Sequence, residues 1–85
     1  MREIRLAQKA AKFLKSLPED YRNALKQRIW LLANELVPRG SIRLQGRGNC
    51  FRMRVGPFRI QYFFMEEENV VLVYKISRRN ETTYR

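Results

Sequence analysis

Arg52, Arg54 and Arg59 flank a Gly56-Pro57 dipeptide, at spacings that can gather three guanidinium groups around one phosphate. They belong to a longer run of one sign. Between Leu36 and Met65 the charged residues are Arg39, Arg43, Arg47, Arg52, Arg54 and Arg59, with no lysine, histidine, aspartate or glutamate among them. The eight carboxylate side chains, Glu3, Glu19, Asp20, Glu35, Glu66, Glu67, Glu68 and Glu81, all lie outside that stretch. Solvated surfaces usually mix signs, because like charges repel. Guanidinium is planar and always charged, holds phosphate oxygens two at a time and stacks on bases. A polar strand face explains any one of these arginines. The three together, with no carboxylate on the same strands, point to a phosphate-binding surface.

The chemistry open to such a surface is cleavage of RNA by its own 2′-hydroxyl. The 2′-oxygen must be placed in line and lose its proton, charge on the phosphoryl oxygens must be stabilised, and the leaving 5′-oxygen must be protonated. The chain has no histidine for the proton steps. Arginine titrates too high to serve easily, and free tyrosine ionises near 10. Guanidinium groups beside a phenol favour the phenolate. Tyr84 is the attractive candidate for proton chemistry, in a segment that also carries Arg78 and Arg79, the alternative being that this penultimate residue is only a frayed end.

The elements that must position these groups are legible from periodicity. Ile4 and Leu6 alternate with Glu3 and Arg5, which predicts a short strand. Leu6, Ala10, Leu14 and Leu17 then fall at helical spacing up to Pro18, which stops one helix and starts another. Glu19 and Asp20 suit the start of the second helix. Its stripes, Tyr21, Leu25, Ile29, Leu32 and Leu36 beside Trp30, Ala33 and Val37, predict a helix to about Leu36, with Trp30, Ala33 and Val37 expected in the core, the alternative being a partly exposed surface for a partner. Pro38 and Gly40 end it.

Beyond Gly40 the period is two. Ile42 and Leu44 alternate with Arg43 and Gln45. Phe51, Met53 and Val55 alternate with Arg52 and Arg54, and after Gly56-Pro57 come Phe58, Ile60, Tyr62 and Phe64. Gly then Pro suits a type II′ hairpin turn. A two-residue loop sets Val55 opposite Phe58, Arg54 opposite Arg59, Met53 opposite Ile60 and Arg52 opposite Gln61. The apolar set then shares the core face and Arg52, Arg54 and Arg59 share the other. Two arginines directly opposed disfavour folding by several tenths of a kcal/mol, and an anion between them reverses the sign. Glu66 to Asn69 predicts a second turn, Val70–Ile76 a last strand, and Ser77–Arg85 a polar tail. Residues 1–85 read as one domain of α+β class: a short strand and a two-helix hairpin on one face of a twisted, mostly antiparallel sheet of four to five strands.

The net charge of +10 and pI near 10.7 favour nucleic acid or another polyanion as partner. Lys9, Lys12 and Lys15 offer only a weak basic stripe for a membrane and read as a solvated helix face. No apolar run approaches the roughly 20 residues of a membrane span. The single cysteine, Cys50, forms no intrachain disulfide and suits a reducing cytoplasm. No metal or other cofactor is expected, since no spaced set of ligands is present.

Leu44-Gln45-Gly46, Cys50-Phe51-Arg52-Met53-Arg54-Val55-Gly56 and Phe58-Arg59-Ile60-Gln61-Tyr62 together resemble the RelE/ParE superfamily of bacterial and archaeal toxins. The likeness extends to Phe13-Leu14-x-x-Leu17-Pro18 and to Val70–Ile76 followed by Arg78-Arg79 and Tyr84. The RelE branch implies the RelE-like fold and a ribosome-dependent endoribonuclease that cuts mRNA in the A site, restrained by an acidic, RelB-like antitoxin. By motif position the resemblance implies that Arg52 and Arg54 orient the scissile phosphate and that Arg59 stabilises charge on it. Arg78 or Arg79 is the tail arginine, and Tyr84 the general base or a stacking platform. Arg39, Arg43, Arg47, Gln61 and Lys75 are expected RNA contacts. The best-known bacterial members carry lysine where Arg52 and Arg54 stand, and Phe58 replaces a tyrosine of the motif. The alternatives are a ParE-like poison of DNA gyrase, and a basic RNA-binding module without chemistry.

Overall fold

The computed structural model describes residues 1–46 and 48–79. The order of elements is β1 (Glu3–Leu6), α1 (Gln8–Lys15), α2 (Glu19–Leu31), β2 (Ser41–Arg43), β3 (Cys50–Val55), β4 (Phe58–Met65) and β5 (Val70–Arg78). The five strands form one sheet in the order β1-β5-β4-β3-β2. β1 runs parallel to β5 and every other pair is antiparallel. The chain thus leaves the β1 edge, crosses the sheet through both helices and re-enters at the opposite edge as β2. That crossing puts α1 against β5 and α2 against β3, and among the described residues no helix covers the other sheet face.

Pro18 makes the bend between the helices. It sits at the N-cap of α2 in an extended conformation, with Glu19 and Asp20 in the first turn behind it. Arg22 ties the bend down by donating to the Leu17 carbonyl at 3.0 Å. α2 ends at Leu31, about one turn short of the Leu36 expected from the apolar stripe. Leu32, Ala33 and Asn34 donate to the carbonyls three residues back, so the last turn tightens and the chain departs. The departure separates the second stripe. Ala33 is buried, but Trp30 is 67% exposed and Val37 49%, which corrects the expectation that both belong to the core.

The core lies between helices and sheet. Leu14, Leu25, Ile29 and Leu32 from the helical side meet Phe51, Met53, Phe58, Ile60, Tyr62, Val71 and Val73 from the strands. Phe51 stacks on Tyr62, and Phe13 and Tyr21 both present edges to Phe58. The Tyr62 hydroxyl, carried inside with its ring, donates to the Leu36 carbonyl at 2.8 Å. Full burial of one such ring contributes about 1.5–3 kcal/mol.

The β3–β4 register is the one a two-residue loop demands: Val55 with Phe58, Arg54 with Arg59, Met53 with Ile60 and Arg52 with Gln61. Gly56 has φ +55°, a left-handed value followed by proline's fixed negative φ, as a type II′ turn requires. β5 differs from expectation in two ways. It runs on to Arg78, so Ser77 and Arg78 belong to the strand and not to a tail. It also carries a bulge, because Gln61 pairs with Lys75 but Tyr62 with Val73. Tyr74 is the extra residue, and side chains beyond it change face.

Candidate phosphate-binding site

The uncovered sheet face is where the arginines meet. Register places Ile42, Arg52, Gln61 and Lys75 in one row across four strands, and Arg54, Arg59 and Ser77 in the next. Residues paired in this way share a face, with Cα atoms about 5 Å apart. Arg52, Arg54, Arg59 and Arg79 then line a depression of about 330 Å³, closed on one side by Gly40, Ser41 and Ile42. Among the described residues that line it there is no carboxylate.

Arg59 is the centre of the group. Burial pushes its guanidinium below the usual arginine value, and the like charges of Arg52, Arg79 and Arg54 push the same way, in that order. Arginine stays protonated at neutral pH even so. Four cations are therefore held together around a concave surface by a fold that gains nothing from their proximity. Glu3 and Arg5 form an ion pair at 2.7 Å, and neither lines this depression.

The tail arginines part company. Arg78 pairs with Phe58 and lays its guanidinium over that ring at 5.1 Å, on the helical side of the sheet. Arg79 turns to the arginine side, where its backbone N–H donates to the Pro57 carbonyl and its side chain to the Gly56 carbonyl, at 2.8 and 3.1 Å. The hairpin tip therefore anchors Arg79 beside Arg59. The bulge at Tyr74 decides this outcome. Without the extra residue the two arginines would exchange faces.

The remaining expected contacts are scattered. Gln61 stands in the row between Arg52 and Lys75. Lys75 lies at the strand's far side, where it also lines a cleft with Lys9, Ala10 and Phe13 of α1. Arg39 is exposed in the turn before β2, and its carbonyl accepts a hydrogen bond from Arg28. Arg43 pairs with Phe51 and therefore faces away from the site. Its guanidinium lies 5.0 Å above the Phe51 ring and donates to the Gly48 carbonyl at 2.9 Å. An inward-pointing charge of this kind protects an edge strand from further pairing. Arg47 and Tyr84 lie outside the described residues.

The sequence reading missed Gly40, Ser41 and Ile42 as walls of the depression. Ile42 was paired by hydropathy with Leu44, yet the β2–β3 register turns it outward beside Arg52, 48% exposed. Gly40, at φ +89°, lies close to the hairpin strand: a Cβ there would stand 3.2 Å from the Arg54 carbonyl oxygen. The signal that could have found it was the Pro38-Arg39-Gly40 turn directly before the strand.

The arrangement can hold a phosphate and stabilise negative charge developing on it. Proton transfer needs another group. Burial raises the Tyr62 phenol above its ordinary value and the hydroxyl is committed to Leu36, Tyr21 packs on Phe58, and Tyr74 lines the cleft against α1. Among the described residues no three His, Cys, Asp or Glu side chains gather as a metal site would require, and no helix is long and apolar enough to cross a membrane.

Residues 4–83 match the family described as "ParE toxin of type II toxin-antitoxin system, parDE". A protein of Methanocaldococcus jannaschii named as the toxin RelE1 is 30% identical over 79 residues, covering 89% of this chain and 88% of its own. Among solved structures, the archaeal RelE–RelB complex from Pyrococcus horikoshii superposes with a TM-score of 0.83 at 26% identity, over 95% of this chain and 98% of the other. The isolated RelE toxin of E. coli gives 0.81 at 19% identity, over 92% and 84%, which is a likeness of fold.

Proposed function

This chain belongs to the RelE/ParE superfamily of type II toxin–antitoxin toxins, and from that membership we propose that it is a ribosome-dependent endoribonuclease that cuts mRNA in the A site and so stops translation. The observation that carries the reading is the depression lined by Arg52, Arg54, Arg59 and Arg79, with no carboxylate among its described lining residues. Such a site suits a phosphodiester whose charge grows in the transition state.

In the proposed reaction the 2′-oxygen attacks the adjacent phosphorus. An O2′–P bond forms, the P–O5′ bond breaks, and the 5′-oxygen leaves, taking its proton from water. Arg52 and Arg54 hold and orient the phosphodiester, and Arg59 stabilises the charge that builds on its free oxygens. Arg79, which shares their depression, is favoured over Arg78 as the tail arginine. Tyr84 takes the 2′-proton. A phenol among guanidinium groups ionises more readily than a free one, which brings a tyrosine toward a useful range. Gln61 and Lys75 extend the contact along the RNA, with Arg39 and Arg47 gripping the backbone outside the centre. The position of Arg43 over Phe51 favours a structural role for it instead. The chemistry calls on no metal or cofactor.

The proposed partners are translating ribosomes with their mRNA and an acidic RelB-like antitoxin, in the cytoplasm. RelE proteins of P. horikoshii and M. jannaschii are described in complex with RelB. Trp30, exposed beside a groove formed with Ile4, Leu6, Leu14 and Ile29, offers apolar surface for such a partner. A second reading follows from the family description itself, which names ParE: a poison of DNA gyrase. In vitro translation with mapping of mRNA ends, run beside a gyrase supercoiling assay, separates the two. Cut mRNA and unaffected gyrase support the nuclease; inhibited gyrase and intact mRNA overturn it.

A further inference from the structure

We propose that the uncovered sheet face carries a base-binding shelf at Phe63, which takes a nucleobase next to the phosphate held by the arginines; this rests on the RNA-cleaving reading above. One row beyond Arg52, Gln61 and Lys75, register brings Cys50, Phe63 and Leu72 side by side. Alternation puts all three on the arginine side of the sheet, where no helix of the described residues covers them. Each is only partly buried. The row ends at Arg5, which pairs with Leu72 and is held by Glu3.

A phenylalanine flanked by Cys50 and Leu72 on a solvent face does nothing for the core, which lies on the other side. Its ring is a stacking platform, and bases stack on aromatic side chains with little regard to sequence. The spacing fits. Arg52 and Cys50, and likewise Gln61 and Phe63, are two residues apart on their strands, about 7 Å, comparable to the reach from a phosphate to the base of the adjoining nucleotide. The shelf is continuous with the cationic rows, and Glu3, a carboxylate at its Arg5 end, is paired with Arg5. Charge and continuity thus favour single-stranded RNA over an acidic protein segment as the occupant. Phe63 then positions the substrate, while Arg52 and Arg54 hold its backbone.

The test is binding of a fluorescent 2′-O-methyl hexanucleotide, whose blocked 2′-oxygens prevent cleavage, and of the same strand made abasic at each position in turn. Phe63→Leu should weaken binding by roughly five- to a hundredfold with the salt dependence unchanged, because phosphate contacts set that slope. One abasic position should remove the difference between wild type and Phe63→Leu. Phe63→Trp should bind as well as wild type. If Phe63→Leu is compromised in folding, wild type must still discriminate against that abasic strand. Equal binding of intact RNA by Phe63→Leu and wild type overturns the shelf and leaves the nuclease reading standing, as does a loss that persists on every abasic strand or one confined to antitoxin binding. Failure of wild type to bind any strand also overturns the shelf, while the ribosome-dependent nuclease reading stands or falls on the mapping of mRNA ends.

Discussion

The two faces of the β3–β4 hairpin are made by alternate residues of the same strands, yet they obey opposite rules. On the helical face, Phe51, Met53, Phe58, Ile60 and Tyr62 are buried almost completely and in mutual contact. On the open face, Arg54 and Arg59 stand directly opposed, with Arg52 and Arg79 crowding the same depression. The first face supplies the free energy of folding, and the second spends part of it. The lesson is that an arrangement of this kind requires a rigid support. Four cations stay converged because the strands beneath them are fixed by a core that leaves no alternative register.

The sharpest way to break the comparison is through the inner face. Phe51→Ala removes a fully buried ring stacked on Tyr62 and should destabilise the domain by about 3–5 kcal/mol, read as a large fall in thermal midpoint with activity lost alongside. Arg79→Ala attacks the outer face alone. It should lower mRNA cleavage by about tenfold to a hundredfold with the fold retained. Arg78→Ala, on the other side of the sheet, should leave cleavage nearly unchanged and cost about 0.5–1 kcal/mol of stability from its contact with Phe58. Equal effects of the two on cleavage would erase the distinction drawn between them.

Smaller effects sharpen the electrostatic side. Arg59→Met relieves like-charge crowding and should raise the thermal midpoint of the free protein by a few degrees. Pyrophosphate should stabilise wild type through binding and Arg59→Met less. A midpoint that falls in Arg59→Met would show that the cluster is stabilised by contacts other than an awaited anion. The smallest expected change is Trp30→Ala, within about 0.5 kcal/mol of wild-type stability, accompanied by weaker antitoxin binding.

The hairpin was legible because Gly56-Pro57 leaves a two-residue loop only one register, and that register carries three arginines to one face. The identity of the fourth was not. Arg78 and Arg79 are chemically alike, and the choice between them turns on the extra residue at Tyr74, which no composition or periodicity signals. Ile42 and Arg43 were misleading for a related reason. Hydropathy assigns isoleucine inward, but β2 is a three-residue edge strand whose pairing with β3 fixes its orientation. The end of α2 was overrun because Leu32 and Ala33 continue the apolar stripe while the backbone has already tightened into a turn. Trp30 then faces outward, since a wide apolar stripe does not say which part is covered.

The central claim is that the arginine face acts on RNA through Arg59, independently of its cost to folding. The most direct measurement maps mRNA ends after in vitro translation with wild type and Arg59→Ala, both verified as folded by circular dichroism. Wild type should produce discrete cuts on ribosome-bound message, and Arg59→Ala should reduce them by about a hundredfold to a thousandfold. Undiminished cutting by a folded Arg59→Ala protein would contradict the account.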